Sequence, residues 1–180
     1  ESLSEDAKLA GWTREIGKPK TMAYNRLALL HAFNFSVPGI PVIYYGDEYG
    51  MPGANDPDNR RMMKFNGLDE DEQQLKNTVE DLITLRNSSM ALLYGSTEVN
   101  VINDDVMVIH RQYFDQHVWF FFNKGNTLAE ISLDQINLDS LEEPNLEEGP
   151  AGDLMMTIAD GAMNIAVNPN SFGTLVTENK

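Results

Sequence analysis

The sequence predicts an α/β segment followed by an antiparallel all-β region, best described as a sandwich, with the change near residue 90. Three observations carry this. Apolar residues at helical spacing fill 22–35 and 75–83. A short apolar run, Ile40 to Tyr45, lies between those two stretches and is bounded by Gly39 and Gly46. Beyond residue 90 the pattern becomes a series of short β-rich segments separated by turn residues.

Residues 1–20 are polar, and Gly11, Gly17 and Pro19 break any regular pattern there. Thr21 is the predicted cap of the first helix. Met22, Leu27, Leu29, Leu30, Phe33 and Phe35 spread around its circumference and predict a largely buried helix, stopped by Val37-Pro38-Gly39. Ile40 to Tyr45 reads as a strand buried on both faces, with Pro41 at its first position because proline has no amide donor. A long loop, 46–67, follows, rich in Gly, Pro, Asp and Asn. The second helix is expected over 69–86, with Leu75, Val79, Leu82 and Ile83 as its apolar stripe. The carboxylates of 69–72 then sit at its positive end.

Strands are predicted at 97–102, 106–113, 118–122, 127–133, 154–158, 163–167 and 174–177. Asn103-Asp104-Asp105 is the expected hairpin turn between the first two, a reading that needs no calcium ion. Residues 134–152 read as a long exposed acidic loop.

Charge narrows the function classes. The net formal charge is −15, a surface that repels phosphate backbones and anionic membranes. Residues 1–90 carry 10 basic and 14 acidic groups, and residues 91–180 carry 3 and 14, so most of the excess lies in the second half. With no cysteine there is no disulfide and no thiolate chemistry. No apolar run has the length of a membrane span. No leader is visible, and a first residue Glu1 fits an internal start.

The chemistry-bearing stretch is the end of the apolar run and its loop. Tyr44-Tyr45 leads into Asp47, Glu48, Asp56, Asp58, Arg60 and Arg61. Tyrosine rings stack on the apolar face of a sugar, and arginine and carboxylate groups bond its vicinal hydroxyls. The same four carboxylates also suit ion pairs with Arg60 and Arg61 that merely order the loop. The residues alone leave both readings open. Elsewhere, Trp119-Phe120-Phe121-Phe122 is expected to be at least half core, and Met51, Met62, Met63, Met155 and Met156 read as core filling. Trp12, in a polar context, is expected to be exposed.

Pro38-Gly39-Ile40-Pro41-Val42-Ile43-Tyr44-Tyr45-Gly46-Asp47-Glu48 and Asp56-Pro57-Asp58-Asn59-Arg60-Arg61 resemble the eighth barrel strand and following loop of the α-amylase family of glycoside hydrolases. The nearest flavour is the cyclomaltodextrinase, neopullulanase and maltogenic-amylase group. The resemblance is strong over 20–90 and weaker beyond. It implies the end of a (β/α)₈ catalytic barrel over 1–90 and a C-terminal β-sandwich over 91–180. It implies retaining action on α-1,4-glucans such as starch, maltodextrin and cyclomaltodextrin; no cofactor is implied for the chemistry, and no metal-ligating residue is expected.

In that family the nucleophile, the acid and a third stabilising Asp lie on earlier strands, and no matching motif occurs here, so no catalytic residue is expected in this chain. His31, His110 and His117 are each in the wrong context. Asp47 and Glu48 are adjacent and cannot flank one glycosidic bond as retention requires. What the resemblance carries over is substrate contact at Asp56 and Arg60. Asn59 stands where some members have Cys. The alternative reading is a non-catalytic carbohydrate-binding or structural module. On either reading a lone barrel strand leaves unpaired edges, so an oligomer or further parent chain is expected to cover it.

Overall fold

The computed structural model describes residues 6–132, 146–159 and 162–177. Among these described residues four helices come first: α1 (Ala7–Thr13), α2 (Thr21–Ser36), α3 (Glu70–Ser88) and α4 (Met90–Tyr94). Eight described strands follow: β1 (Ser96–Val101), β2 (Val106–Tyr113), β3 (Gln116–Asn123), β4 (Ala129–Ser132), β5 (Leu146–Gly152), β6 (Leu154–Ala159), β7 (Ala162–Val167) and β8 (Ser171–Thr177). They form a five-stranded sheet ordered β1-β2-β3-β8-β5 and a three-stranded sheet ordered β4-β7-β6. Every pairing is antiparallel.

The central strands of the larger sheet, β2, β3 and β8, are buried on both faces, while its edge strand β1 is mostly exposed. One side of the sheet's alternation (Val108, Trp119, Phe121 and Leu175) meets Ile131, Ile165 and Val167 of the smaller sheet. The other side (Ile109, Val118, Phe120, Phe122 and Phe172) meets Ala32 and Phe35 of α2, Leu82 and Leu85 of α3, and Leu92 of α4. Strand β3 therefore has no solvent face, and the aromatic run 119–122 is core throughout, in line with the expectation that at least half of it would be. One continuous apolar cluster joins the helices to the sheet.

Seven of the expected strands are present with small changes of boundary. The hairpin turn between β1 and β2 is built as predicted: the Asn103 side-chain oxygen accepts from the amides of Asp105 and Val106. Strand β5 is a correction, because 146–152 was expected to be loop. Its Pro150 cannot donate to a ladder, but β5 is an edge strand, and its register with β8 shifts between Glu148 and Gly152. The rest of that expected loop, 134–145, lies outside the described residues.

The helical part differs from expectation in several places. Residues 7–13 form a helix despite Gly11. Lys20, not Thr21, occupies the α2 N-cap, and the Thr21 hydroxyl instead donates to Asp71 of α3 at 3.0 Å. Helix α2 buries Tyr24, His31, Ala32 and Phe35 but leaves Met22, Leu30 and Phe33 exposed. In α3 the stripe uses Leu85 in place of the half-exposed Ile83.

The largest departure is at 40–45. The segment is extended but pairs with no other strand among the described residues, so it is not a β-strand here. Ile43 packs inward between α2 and α3, while Ile40 is 90% and Val42 77% exposed. An apolar run forms a buried strand only when neighbouring backbone supplies ladder bonds and a second layer, and both are missing on its outer side. Among the described residues no helix is long and apolar enough to cross a membrane.

Candidate functional site

The loop that follows Tyr45 is positioned from below by two buried cations. Arg86 of α3 donates to the carbonyls of Phe35 at 2.5 Å, Val37 at 3.1 Å and Gly39 at 2.5 Å. Arg111 of β2 donates to Ser36 O at 2.8 Å and to the Gly95 and Ser96 carbonyls. These carbonyls include the orphan acceptors at the end of α2, where the helix dipole also favours positive charge. Burial pushes both guanidinium groups below their ordinary range. The pair fixes the point at which the chain leaves α2 and enters 40–45. The amide of Asn34 then donates to Val42 O at 3.0 Å, holding the extended segment along the helix.

After Tyr45 the chain turns through Gly46 into a single 3₁₀ turn, Asp47–Tyr49. Gly50 has φ of +70° and lies against Tyr24, where a Cβ would stand 2.7 Å from the ring. Only glycine fits both demands. The Tyr49 hydroxyl accepts from the Lys64 amide at 3.0 Å and so closes the far end of the loop. The Lys64 ammonium reaches the buried Glu72 at 2.6 Å, and Lys18 reaches the same carboxylate at 2.9 Å. Asp69 and Glu72 form a reciprocal capping box at the start of α3. Burial opposes ionisation of Glu72, but Lys64, the Asp69 amide and Lys18 outweigh it and hold its pKa below the ordinary range. Sequence reasoning read 69–72 only as helix-end charge. The Asp-x-x-Glu spacing was the signal for the cap; nothing in the sequence pointed to Lys18 and Lys64.

The outer part of the loop carries the two predicted contact residues. A second 3₁₀ turn, Asp58–Arg60, follows a cis Asp56–Pro57 peptide. Asp58 accepts two bonds from Arg61, at 2.8 and 2.7 Å, and a third from the Ala54 amide at 2.8 Å. Arg61, the Ala54 amide and their charge hold the Asp58 carboxyl well below its usual range. Helix α1 packs here as well, with the Cβ position of Gly11 2.9 Å from Ala54 and 3.0 Å from Asp58. Asp56 and Arg60 form their own ion pair at 2.7 Å, with 51% and 67% of their side chains exposed.

The two readings of these charges thus separate by residue. Asp58 and Arg61 order the loop. Asp56 and Arg60 stand paired on its exposed side. Glu48 accepts from the Gly46 amide at 2.6 Å, and Asp47 is raised by burial; neither completes a second carboxylate pair. Tyr44 and Tyr45 have ring centroids 4.6 Å apart at 45°, and both rings are exposed. By alternation Tyr44 shares the outer side of Ile40 and Val42, whereas the Tyr45 hydroxyl donates to Arg61 O at 3.3 Å. Trp12 is exposed, as expected, on the helix that packs against the loop. Met62 is exposed rather than core, and Met51 serves as a sulfur acceptor for the Tyr49 hydroxyl at 3.2 Å.

Comparison with known proteins bears on this loop and on the fold. No family model matches the chain. An intracellular maltogenic amylase of Bacillus subtilis is 36% identical over 113 residues, covering 61% of this chain and 19% of the amylase. A cyclomaltodextrin glucanotransferase of Bacillus sp. strain 38-2 is 38% identical over 103 residues, 56% of this chain and 14% of that enzyme. Among solved structures, an Anoxybacillus α-amylase superposes with a TM-score of 0.70 at 30% identity, over 87% of this chain and 33% of the amylase. A debranching enzyme of Nostoc punctiforme gives 0.70 at 26% identity, over 84% of this chain and 31% of that enzyme. The chain therefore spans between about a seventh and a fifth of these two curated relatives and about a third of these solved ones. Sequence and fold together make it a homologue of the α-amylase-family glycoside hydrolases, in keeping with a C-terminal portion of such an enzyme.

Proposed function

We propose that this chain is part of a retaining enzyme acting on α-1,4-glucans, and that it supplies one wall of the sugar-binding cleft rather than the catalytic carboxylates. Residues 1–90 would close the catalytic barrel and residues 91–180 would form the sandwich beyond it. The observation that carries the reading is the exposed Asp56–Arg60 pair, held out by a loop that Asp58–Arg61 has already ordered. An ion pair in solvent contributes little to the fold, so these groups are free to exchange their mutual bond for sugar hydroxyls. Each offers directed bonds of opposite sense, donor from Arg60 and acceptor from Asp56. Relatives named for maltogenic and cyclomaltodextrin chemistry support the substrate class.

The exposed run at Ile40, Val42 and Tyr44 supports the remainder of the proposal. In the whole enzyme a neighbouring strand, from the parent chain or from a second copy, would cover it and complete its ladder. Sedimentation and amide exchange test this part: a monomeric chain whose amides at 40–45 are fully protected would sink it.

Reducing-sugar release from maltodextrin and cyclomaltodextrin tests the main reading. This chain alone should release none. In the parent enzyme, Asp56→Ala and Arg60→Ala should each raise KM with a smaller effect on kcat. Release by this chain, lost on Asp56→Ala, would place the chemistry here and overturn the reading.

A further inference from the structure

A cleft of about 310 Å³ lies between the helical layer and the loops at one end of the sandwich. None of its lining residues belongs to the 46–65 loop. Asn25 of α2, with Gln74 and Asp81 of α3, forms one wall; Asp153 and Asn168 project from the opposite wall. On α3, Gln74, Thr78 and Asp81 follow one another at spacings of four and three, which places them on one helix face.

The β wall is preformed. Asn170 sits in a left-handed conformation with φ of 50° and is buried. Its amide donates to Gly125 O at 3.1 Å and lies 3.3 Å from Asn126 Oδ1, while its oxygen accepts from Arg26 at 3.3 Å. That turn is therefore bonded to both the sandwich and α2. Gly152, at φ of +84°, leaves the cleft floor without a side chain, and a Cβ there would meet Phe172 O at 2.5 Å.

The polar groups facing the cleft are largely unspent. The side chains of Asn25, Gln74 and Asp81 make no hydrogen bond or ion pair with the described residues. Asn168 and Asp153 share only a long contact of 3.4 Å. Among the described residues no lysine or arginine lines the cleft, and two carboxylates do, so an anion is disfavoured. Polar groups dominate the lining, which disfavours an apolar guest. Amides that both donate and accept, alternating with carboxylates that only accept, match a ligand carrying many neutral hydroxyls.

We propose that this cleft is a second carbohydrate site, taking a neutral oligosaccharide between Asn25, Gln74 and Asp81 on one side and Asp153 and Asn168 on the other. That the oligosaccharide is an α-glucan rests on the function proposed above; that it is a neutral sugar rests on the cleft itself. The site needs no contact with the Asp56–Arg60 loop, so the two act independently.

The test is a titration of this chain with maltotriose in EDTA, followed by NMR of the backbone and of the Asn and Gln side-chain amides. Gln74 and Asn168 amides should shift together and saturate at one midpoint, unchanged in Asp56→Ala. The double variant Gln74→Ala, Asn168→Ala should weaken that midpoint about tenfold, the loss expected for two hydrogen-bonding groups. An unchanged backbone spectrum elsewhere would show the variant folded. Shifts confined to 46–65 would overturn the second site and leave the proposed function standing. Shifts confined to the cleft would uphold the second site and count against Asp56 and Arg60. No shift at either place would overturn both.

Discussion

Strand β3 and the segment 40–45 carry similar residues in opposite surroundings. Val118-Trp119-Phe120-Phe121-Phe122 has a ladder partner on each side and a packed layer on each face. Among the described residues Ile40-Pro41-Val42-Ile43-Tyr44-Tyr45 has neither ladder, and only its inner side is covered. An apolar run therefore states a demand for burial, and the surrounding chain decides whether the demand is met. The first run is where this molecule's stability resides. The second is left exposed on its outer side.

The sharpest way to break that comparison is to truncate both. Phe120→Ala should destabilise the chain by about 3–5 kcal/mol, the usual loss for a buried aromatic. Val42→Ala should change it by no more than about 0.5 kcal/mol, as for other surface positions. Denaturant unfolding of the two variants checks this. Similar losses would mean that 40–45 is already buried in solution, and the contrast would fail.

The join between the two regions comes next. Arg86 holds three carbonyls at the exit from α2, so Arg86→Met strands acceptors that water cannot easily reach. A loss of about 2–4 kcal/mol is expected, since each buried unsatisfied group costs about 1–3 kcal/mol and some will find water. Amide exchange should accelerate first at 37–45. A loss spread evenly over the sheet would mean that Arg86 supports the core rather than the loop.

Much of this was legible in the sequence, for reasons that differ by region. The β-rich half declared itself because alternation and turn residues are local signals, and the Asn103 turn was read from three residues. Strand β5 was hidden because its Glu147, Glu148, Gly149 and Pro150 resemble a loop, and only pairing with β8 makes them a strand. Residues 40–45 failed in the other direction, since local composition cannot report absent neighbours. At the site, Asp56 and Arg60 emerge as an exposed pair, and Asp58 and Arg61 as the ordering pair. The sequence could not assign those partners, because all four groups lie within six residues. The buried arginines left no sequence signal at all, because their acceptors are main-chain carbonyls.

Acid should weaken the β region through its histidines. His110 and His117 stack on Trp119 and approach each other at 2.9 Å. Burial and the neighbouring His117 lower the His110 pKa from 6.5 to about 4, against a partial opposing pull from Glu98. The unfolded chain therefore binds the extra proton first. Stability from this group is complete above pH 6.5, declines between 6.5 and about 4, and declines no further below that. The buried Glu72, whose pKa is lowered in the folded chain, adds a loss in the same direction. His110→Phe should flatten the slope of unfolding free energy between pH 6.5 and about 4, and an unchanged slope would assign the acid sensitivity elsewhere.

The smallest effect separates the two ion pairs of the loop. Asp58 accepts three bonds and is partly covered by α1, so Asp58→Ala should cost about 1–2 kcal/mol, the range for charge-assisted bonds that are not fully buried. Asp56 meets Arg60 in solvent, and Asp56→Ala should cost no more than about 0.5 kcal/mol because exposed pairs lose in side-chain entropy most of what they gain in attraction. The asymmetry matters for function. A pair that stabilised the loop could not be spent on a ligand without loosening the loop that presents it. If Asp56→Ala proved as costly as Asp58→Ala, the exposed pair would be part of the scaffold, and its assignment as a sugar contact would lose its physical basis.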